Sequence, residues 1–239
     1  MTTQHEQVIA ALESNGGYAT LGKLYQLVDF STWATKTPHA SVRRIVQQRK
    51  EIFKIRPGLW ALEDYRDTLP PNIMQLDEKV VSPDTQYTHY YYQGLLLEIG
   101  NMRNYDTFVP AQDKNQLYLE TSLGHIAKRT TCYDFTYDHV VRRARTIDVI
   151  WFNRRQYPAE VYEVEHSTDF QNSLIKFVEL QDFNTRFWIV ADKARKRAYE
   201  DKISASAFES IKKRVQFLSY DKLSMLHSKT AELHEVMSG

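Results

Sequence analysis

The chain has 239 residues, 42% of them hydrophobic and 26% charged, with a net charge of +1; that is the balance of a globular protein able to bury one large core or two modest ones. A charge so close to zero excludes overall basicity as a sign of a nucleic-acid partner, so any such binding has to come from local patches. The single cysteine, Cys132, excludes an intramolecular disulfide and a Cys-x-x-Cys zinc site.

In chain order, His5–Asn15 carries Val8, Ile9, Ala11 and Leu12 at helical spacing, and Gly16-Gly17 ends that helix because glycine accepts the left-handed C-cap conformation. A short extended piece, Tyr18–Thr20, leads to a second helix over Leu21–Val28, and a link around Phe30–Trp33 follows. Thr37 before Pro38 is the signature of a helix start. The third helix buries Val42, Ile45 and Val46 and is expected to expose His39, Ser41, Arg43, Arg44, Gln47 and Arg49. The run E-I-F-K-I-R-P-G-L-W-A-L reads as two strands joined at Pro57-Gly58, a strong turn dipeptide. Three helices, a terminal hairpin and a basic third helix form a winged helix-turn-helix over residues 1–68. The segment resembles the HARE-type winged-helix domains on K-T-P-H-A-S-V-R-R-I and F-K-I-R-P-G-L-W-A-L. In such modules the third helix enters the major groove and the wing touches backbone. The resemblance implies that Thr37, His39, Ser41, Arg43, Arg44, Gln47 and Arg49, with Lys54 and Arg56 of the wing, face double-stranded DNA. The plainer reading is an ordinary solvated helix face.

Residues 69–85 hold three prolines and little periodicity and read as a linker, followed by a mixed α/β domain over 86–239. Gln86–Met102 is a helix with Glu98 near its end, and Tyr105–Ala111 is a strand. Residues 113–145 give no clear pattern beyond a short strand at Leu117–Leu119. Ile147–Phe152 and Ala159–Glu165 read as an antiparallel hairpin. Ser167–Asn184 is a helix, Arg186–Ala191 a strand, Lys193–Ile203 and Ser206–Arg214 are helical, Val215–Leu218 is a strand, and the tail is helical.

The hairpin carries acids where buried strands should carry none. Side chains alternate faces along a strand, so Glu163 and Glu165 point the same way. If Asp148 lies across from them, three carboxylates converge. Their mutual repulsion away from water is costly unless a cation or protons neutralise it, and hard divalent ions, Mg²⁺ above all, take such oxygen ligands. Glu160, just before them, reads as an ordinary surface carboxylate, and three surface carboxylates on an edge hairpin are the plain alternative for the whole motif.

The order of a helix with Glu98, a strand, a strand with Asp148, and a strand with Glu163-x-Glu165 resembles the PD-(D/E)xK, restriction-endonuclease-like superfamily. The resemblance covers roughly residues 85–220 and rests on I-D-V-I-W-F and E-V-Y-E-V-E-H-S-T, an E-x-E variant of the motif. It implies a central mixed sheet flanked by helices and Mg²⁺-dependent phosphodiester hydrolysis, with Mn²⁺ able to substitute. It implies Asp148, Glu163 and Glu98 as metal ligands and all four acids as catalytic, with Glu165 standing where lysine is usual. A carboxylate there cannot supply positive charge; it holds a second ion or acts as a base, and Lys176, Lys193 and Arg195 are the candidates to restore the charge. His166, on the opposite face from Glu165, reads as structural or DNA-side.

The expected function is therefore a type II-like restriction endonuclease cutting duplex DNA. Two competitors remain open: a DNA-binding regulator with an inactive nuclease-like domain, and a nuclease acting on RNA or repair intermediates. Enzymes of the first kind are commonly two-fold dimers, so a homodimer is expected with it, and a cognate DNA methyltransferase is the functional partner to look for. The start M-T-T-Q-H-E-Q lacks the basic stretch and apolar core of a signal peptide, and no apolar run nears the ~18 residues needed to cross a bilayer. The expectation is a cytoplasmic protein with no membrane partner. Nucleotide-binding, HExxH and GxSxG motifs do not occur.

Overall fold

The computed structural model describes residues 2–74, 84–166 and 169–238. Most of the expected linker, residues 75–83, and the expected helix start at Ser167-Thr168 lie outside them. Two compact units divide the chain: residues 1–76 together with 224–239, and residues 77–223. The expected second domain took 86–239 as one piece, whereas the end of the C-terminal helix groups with the first unit.

In the first unit, α1 (Gln4–Ser14) starts at a capping box in which Thr3 and Glu6 satisfy each other's backbone N–H. It ends at Gly16-Gly17, both at positive φ. At Gly17 a Cβ would come within 2.3 Å of the Tyr65 ring, so both conformation and space demand glycine there. β1 (Tyr18–Thr20), α2 (Leu21–Leu27), α3 (Pro38–Gln48), β2 (Ile52–Arg56) and β3 (Leu59–Leu62) follow. The three strands form an antiparallel sheet in the order β1-β3-β2, and α1, α2 and α3 bury Val8, Leu12, Leu24, Tyr25, Val42, Ile45 and Val46.

The second unit opens with α4 (Asp84–Met102), then β4 (Asp106–Phe108), a two-stranded ribbon of β5 (Leu117–Tyr118) and β6 (Thr121–Ser122), and the short helices α5 (Leu123–Ile126) and α6 (Asp138–Ala144). The hairpin is β7 (Val149–Phe152) and β8 (Pro158–Glu165); α7 (Gln171–Val178), β9 (Arg186–Ala191), α8 (Lys196–Ile203) and β10 (Val215–Ser219) complete the unit. The final helix, α9, runs over Tyr220–Ser238. The expected helix over Ser206–Arg214 is a single 3-10 turn, Ser206–Phe208, followed by hydrogen-bonded turns.

The sheet order is β10-β9-β8-β7-β4. β8, β9 and β10 run parallel, whereas β7 is antiparallel to both β8 and β4. This is the mixed sheet flanked by helices that the resemblance implies. On one face α4 approaches closely enough that the Trp151 indole N–H donates to the Leu96 carbonyl at 3.1 Å. A Cβ on Gly100 would sit 2.6 Å from that same nitrogen, so this glycine sets the depth at which α4 docks. The other face builds the main core, with Ile150, Phe152, Val161, Phe187, Ile189 and Ala191 packed on Leu174, Phe177, Val141, Tyr199 and Ile203. Burying these side chains supplies the principal driving force, about 1.5–3 kcal/mol each. Among the described residues no helix is long and apolar enough to cross a membrane.

Candidate active site

The register of the hairpin settles where the acids go. Val149 pairs with Tyr162 in an antiparallel ladder, so Asp148, one residue before β7, falls opposite Glu163. By alternation Glu163 and Glu165 share the face of Val161, over which α7 lies. All three acids are buried: Asp148 is 8%, Glu163 3% and Glu165 5% exposed. Asp148 Oδ2 accepts from the Val164 amide at 2.7 Å, and the Asp148 amide lies 3.4 Å from Glu163 Oε1.

α7 brings two polar residues onto this group. The Ser173 hydroxyl lies 3.1 Å from Glu163 Oε2 and donates to Glu165 Oε1, bridging the two glutamates. Lys176, one turn further along, places Nζ 2.8 and 2.9 Å from the two Glu163 oxygens and 2.7 Å from the Thr146 carbonyl. Lys176, one of the three bases expected to restore positive charge, is therefore on an acid of the motif; the Arg195 guanidinium lies over the Phe170 ring at 4.4 Å.

The Lys176 ammonium does not offset the burial of Asp148 and Glu163. Burial pushes the Asp148 carboxyl up to about 7, with Lys176 and the Val164 amide pulling the other way. Burial, and then the negative charge of Asp148, push Glu163 up to about 8 against the pull of Lys176. Acids so perturbed retain protons near neutrality or take up a cation.

The fourth expected acid does not join them. Glu98 accepts from the Tyr118 hydroxyl at 2.9 Å. At 100° per residue it lies on the opposite side of α4 from His89 and away from Gln93. The α4 residues that approach Asp148 are these two, one turn apart. His89 Nε2 is 3.7 Å from Asp148 Oδ2. Gln93 donates to Asp113 Oδ2 at 2.9 Å and approaches the Asp148 carbonyl at 3.4 Å. Ligand atoms of His89, Asp113 and Asp148 all lie within 4.8 Å of one another. Burial lowers the His89 imidazole, against the pull of the nearby acids and a backbone hydrogen bond with Val164. Sequence reasoning missed His89, Gln93, Asp113 and Ser173. A polar pair at i, i+4 in the otherwise apolar run H-Y-Y-Y-Q-G-L-L-L is a readable signal for His89 and Gln93. Asp113 sits in a turn with no periodicity to mark it.

Glu160 corrects another expectation. It is 2% exposed, on the α4 side of a central strand that has no solvent face. Arg186 binds it, and Trp188 Nε1 and the Tyr162 hydroxyl each donate to it at 2.9 Å. It is a buried, paired acid that ties β8 to β9. His166 is half-buried, with Nδ1 3.4 Å from the Tyr220 hydroxyl.

In the first unit the nine residues expected to face nucleic acid divide into three groups. Thr37, Arg44, Gln47, Arg49 and Lys54 are exposed. Ser41 and Arg56 are buried, each 9% exposed. Ser41 is one turn before Ile45 and belongs to the inward stripe, and the Arg56 guanidinium donates to the Ile73 carbonyl at 3.0 Å. His39 and Arg43 are occupied by α9: His39 Nε2 is 2.8 Å from Glu235, and Arg43 is 3.8 Å from Glu232 and donates to the Tyr25 hydroxyl at 3.0 Å.

A family model described as the C-terminal domain of the type II restriction enzyme NmeDI matches residues 57–238. A relative with the name type II restriction enzyme NmeDI, from Neisseria meningitidis serogroup C, is 27% identical over 156 residues, which cover 61% of this chain and 44% of the relative. The chain thus matches less than half of that protein's length. No solved structure matches the chain significantly.

Proposed function

Because the chain belongs to the family of the NmeDI C-terminal domain, we propose that it is a restriction endonuclease hydrolysing phosphodiester bonds of duplex DNA with Mg²⁺, built on the PD-(D/E)xK plan. The observation that carries the reading is the convergence of Asp148, Glu163 and Glu165 on one hairpin, with the Lys176 ammonium on Glu163. The donor set fits the ion: it is carboxylate oxygen and buried. Asp148 and Glu163 would hold it, with Glu165 beside them.

A bound divalent ion supplies Lewis acidity and counter-charge to phosphodiester displacement. The chain's own groups do the rest. Lys176 delivers from α7 the positive charge that the E-x-E motif lacks, and stabilises charge developing on the phosphate. The Ser173 hydroxyl fixes Glu163 and Glu165 toward one another, so that Glu165 is oriented to take the proton of the attacking water. The first unit acts as a winged helix-turn-helix, with Arg44, Gln47 and Arg49 of α3 and Lys54 of the wing directed to duplex DNA. Two copies would cut both strands, and a cognate methyltransferase would protect host DNA.

The test is cleavage of methylated and unmethylated plasmid with Mg²⁺ or Mn²⁺. Asp148→Asn and Glu163→Gln should each abolish cutting while the fold persists. A wild-type protein that binds DNA and cuts neither substrate would be a regulator with an inactive core.

A further inference from the structure

Beside the carboxylates assigned to Mg²⁺ there is a second set of donors of different chemistry. It contains an imidazole, His89, two carboxylates, Asp113 and Asp148, and an amide, Gln93. The first three converge to within 4.8 Å. Gln93 adds an independent observation. Its side chain is fully buried, its amide nitrogen is committed to Asp113 and the Asp148 carbonyl, and its Oε1 has no hydrogen-bond partner. A buried carbonyl oxygen left unpaired is destabilising. A cation next to that oxygen would offset the cost.

We propose that His89, Asp113 and Asp148, with Gln93 Oε1 as a further oxygen donor, form a binding site for a first-row transition ion of the Mn²⁺ class, adjoining the Mg²⁺ position through the shared Asp148. Mixed nitrogen and oxygen donors favour such ions over Mg²⁺, which demands oxygen ligands and dehydrates reluctantly. The two α4 donors are spaced one turn apart and so present a single edge to the sheet. Asp113 reaches them from the turn after β4. The site rests on the nuclease reading only through Asp148; His89, Gln93 and Asp113 take no part in the chemistry proposed above.

The test uses the full chain and Mn²⁺ as the probe. Electron-spin-echo modulation of one equivalent of bound Mn²⁺ should show coupling to a single imidazole ¹⁴N. His89→Gln should remove that coupling and weaken Mn²⁺ binding about tenfold or more, with Mg²⁺ affinity changed far less. Glu163→Gln should abolish DNA cutting and retain the ¹⁴N signal, which separates this site from the hydrolytic one. Wild-type Mn²⁺ with oxygen ligands only overturns the proposal without any variant, as does a ¹⁴N signal that survives His89→Gln. A protein that cuts no DNA but shows the His89-dependent signal would sink the nuclease reading and leave this site standing.

Discussion

The buried acids of the hairpin make stability depend on pH in an unusual direction. Asp148 rises from its ordinary range to about 7 and Glu163 to about 8. A raised value in the folded state means that the folded protein holds protons that the unfolded chain has released. The stability so contributed is present at low pH and is lost as pH rises from about 4 toward 8. At pH 7 the pair would hold about 0.5 and 0.9 protons against almost none when unfolded, which gives a loss of about 2 kcal/mol per pH unit; the two titrate jointly, so the sum belongs to the pair. Denaturant unfolding at pH 6, 7 and 8 in EDTA measures this slope, and the Asp148→Asn, Glu163→Gln double variant removes it and serves as the reference. Adding Mg²⁺ should reverse the trend. The ion requires the ionised acids, so the gap between Mg²⁺ and EDTA should widen as pH rises. Stability in EDTA that is flat, or that increases from pH 6 to 8 relative to the double variant, would refute the assignment of these acids as a proton-holding, cation-seeking group.

Lys176→Met leaves Glu163 buried without its ammonium and should cost about 3–5 kcal/mol above pH 8, with a smaller loss below pH 6 where Glu163 carries a proton, as read by denaturant unfolding. Replacing Arg44 and Arg49 with Ala should weaken duplex binding and lower the slope of log affinity against log salt by about 2; an unchanged slope would remove α3 from the DNA interface. Glu232→Gln with Glu235→Gln releases His39 and Arg43 and should tighten duplex binding about threefold or more. That gain should vanish when His39 and Arg43 are already Ala, a control that separates release of these two residues from simple loss of negative charge.

The elements that could be read from the sequence are those whose pattern is local. Gly16-Gly17, Thr37-Pro38 and Pro57-Gly58 mark ends and turns by backbone chemistry alone, and each stands where expected. The hairpin was readable because alternation fixes faces and one turn fixes register, so Asp148, Glu163 and Glu165 fell together. Glu98 was placed by order along the chain, and order does not determine which side of a helix faces the sheet. That side is chosen by the close docking of Gly100 on Trp151, which turns His89 and Gln93 inward instead. Glu160 and Ser41 were misread for a related reason. Both are polar residues whose burial depends on neighbours distant in sequence: β9 and α4 for the first, the three-helix core for the second.

On the PD-(D/E)xK plan proposed above, the acid at 165 stands where a lysine would accompany the pair of metal-binding acids, and by itself it suggests a site that has lost its cation. The geometry offers another resolution. A charge needed at a point in space can be delivered from any element that passes it. α7 crosses the end of β8 with Ser173 on Glu165 and Lys176 on Glu163, so the ammonium arrives from a helix rather than from the strand. If the site were retired, nothing would oppose drift of Asp148, Glu163 and Glu165 to apolar side chains, since burying unbalanced charge costs stability. Three acids, one lysine and a bridging hydroxyl in such a place are better explained by use than by packing. The residue to test that on is Lys176: in a working nuclease, Lys176→Met should depress cutting even at pH 6, where its effect on folding is least.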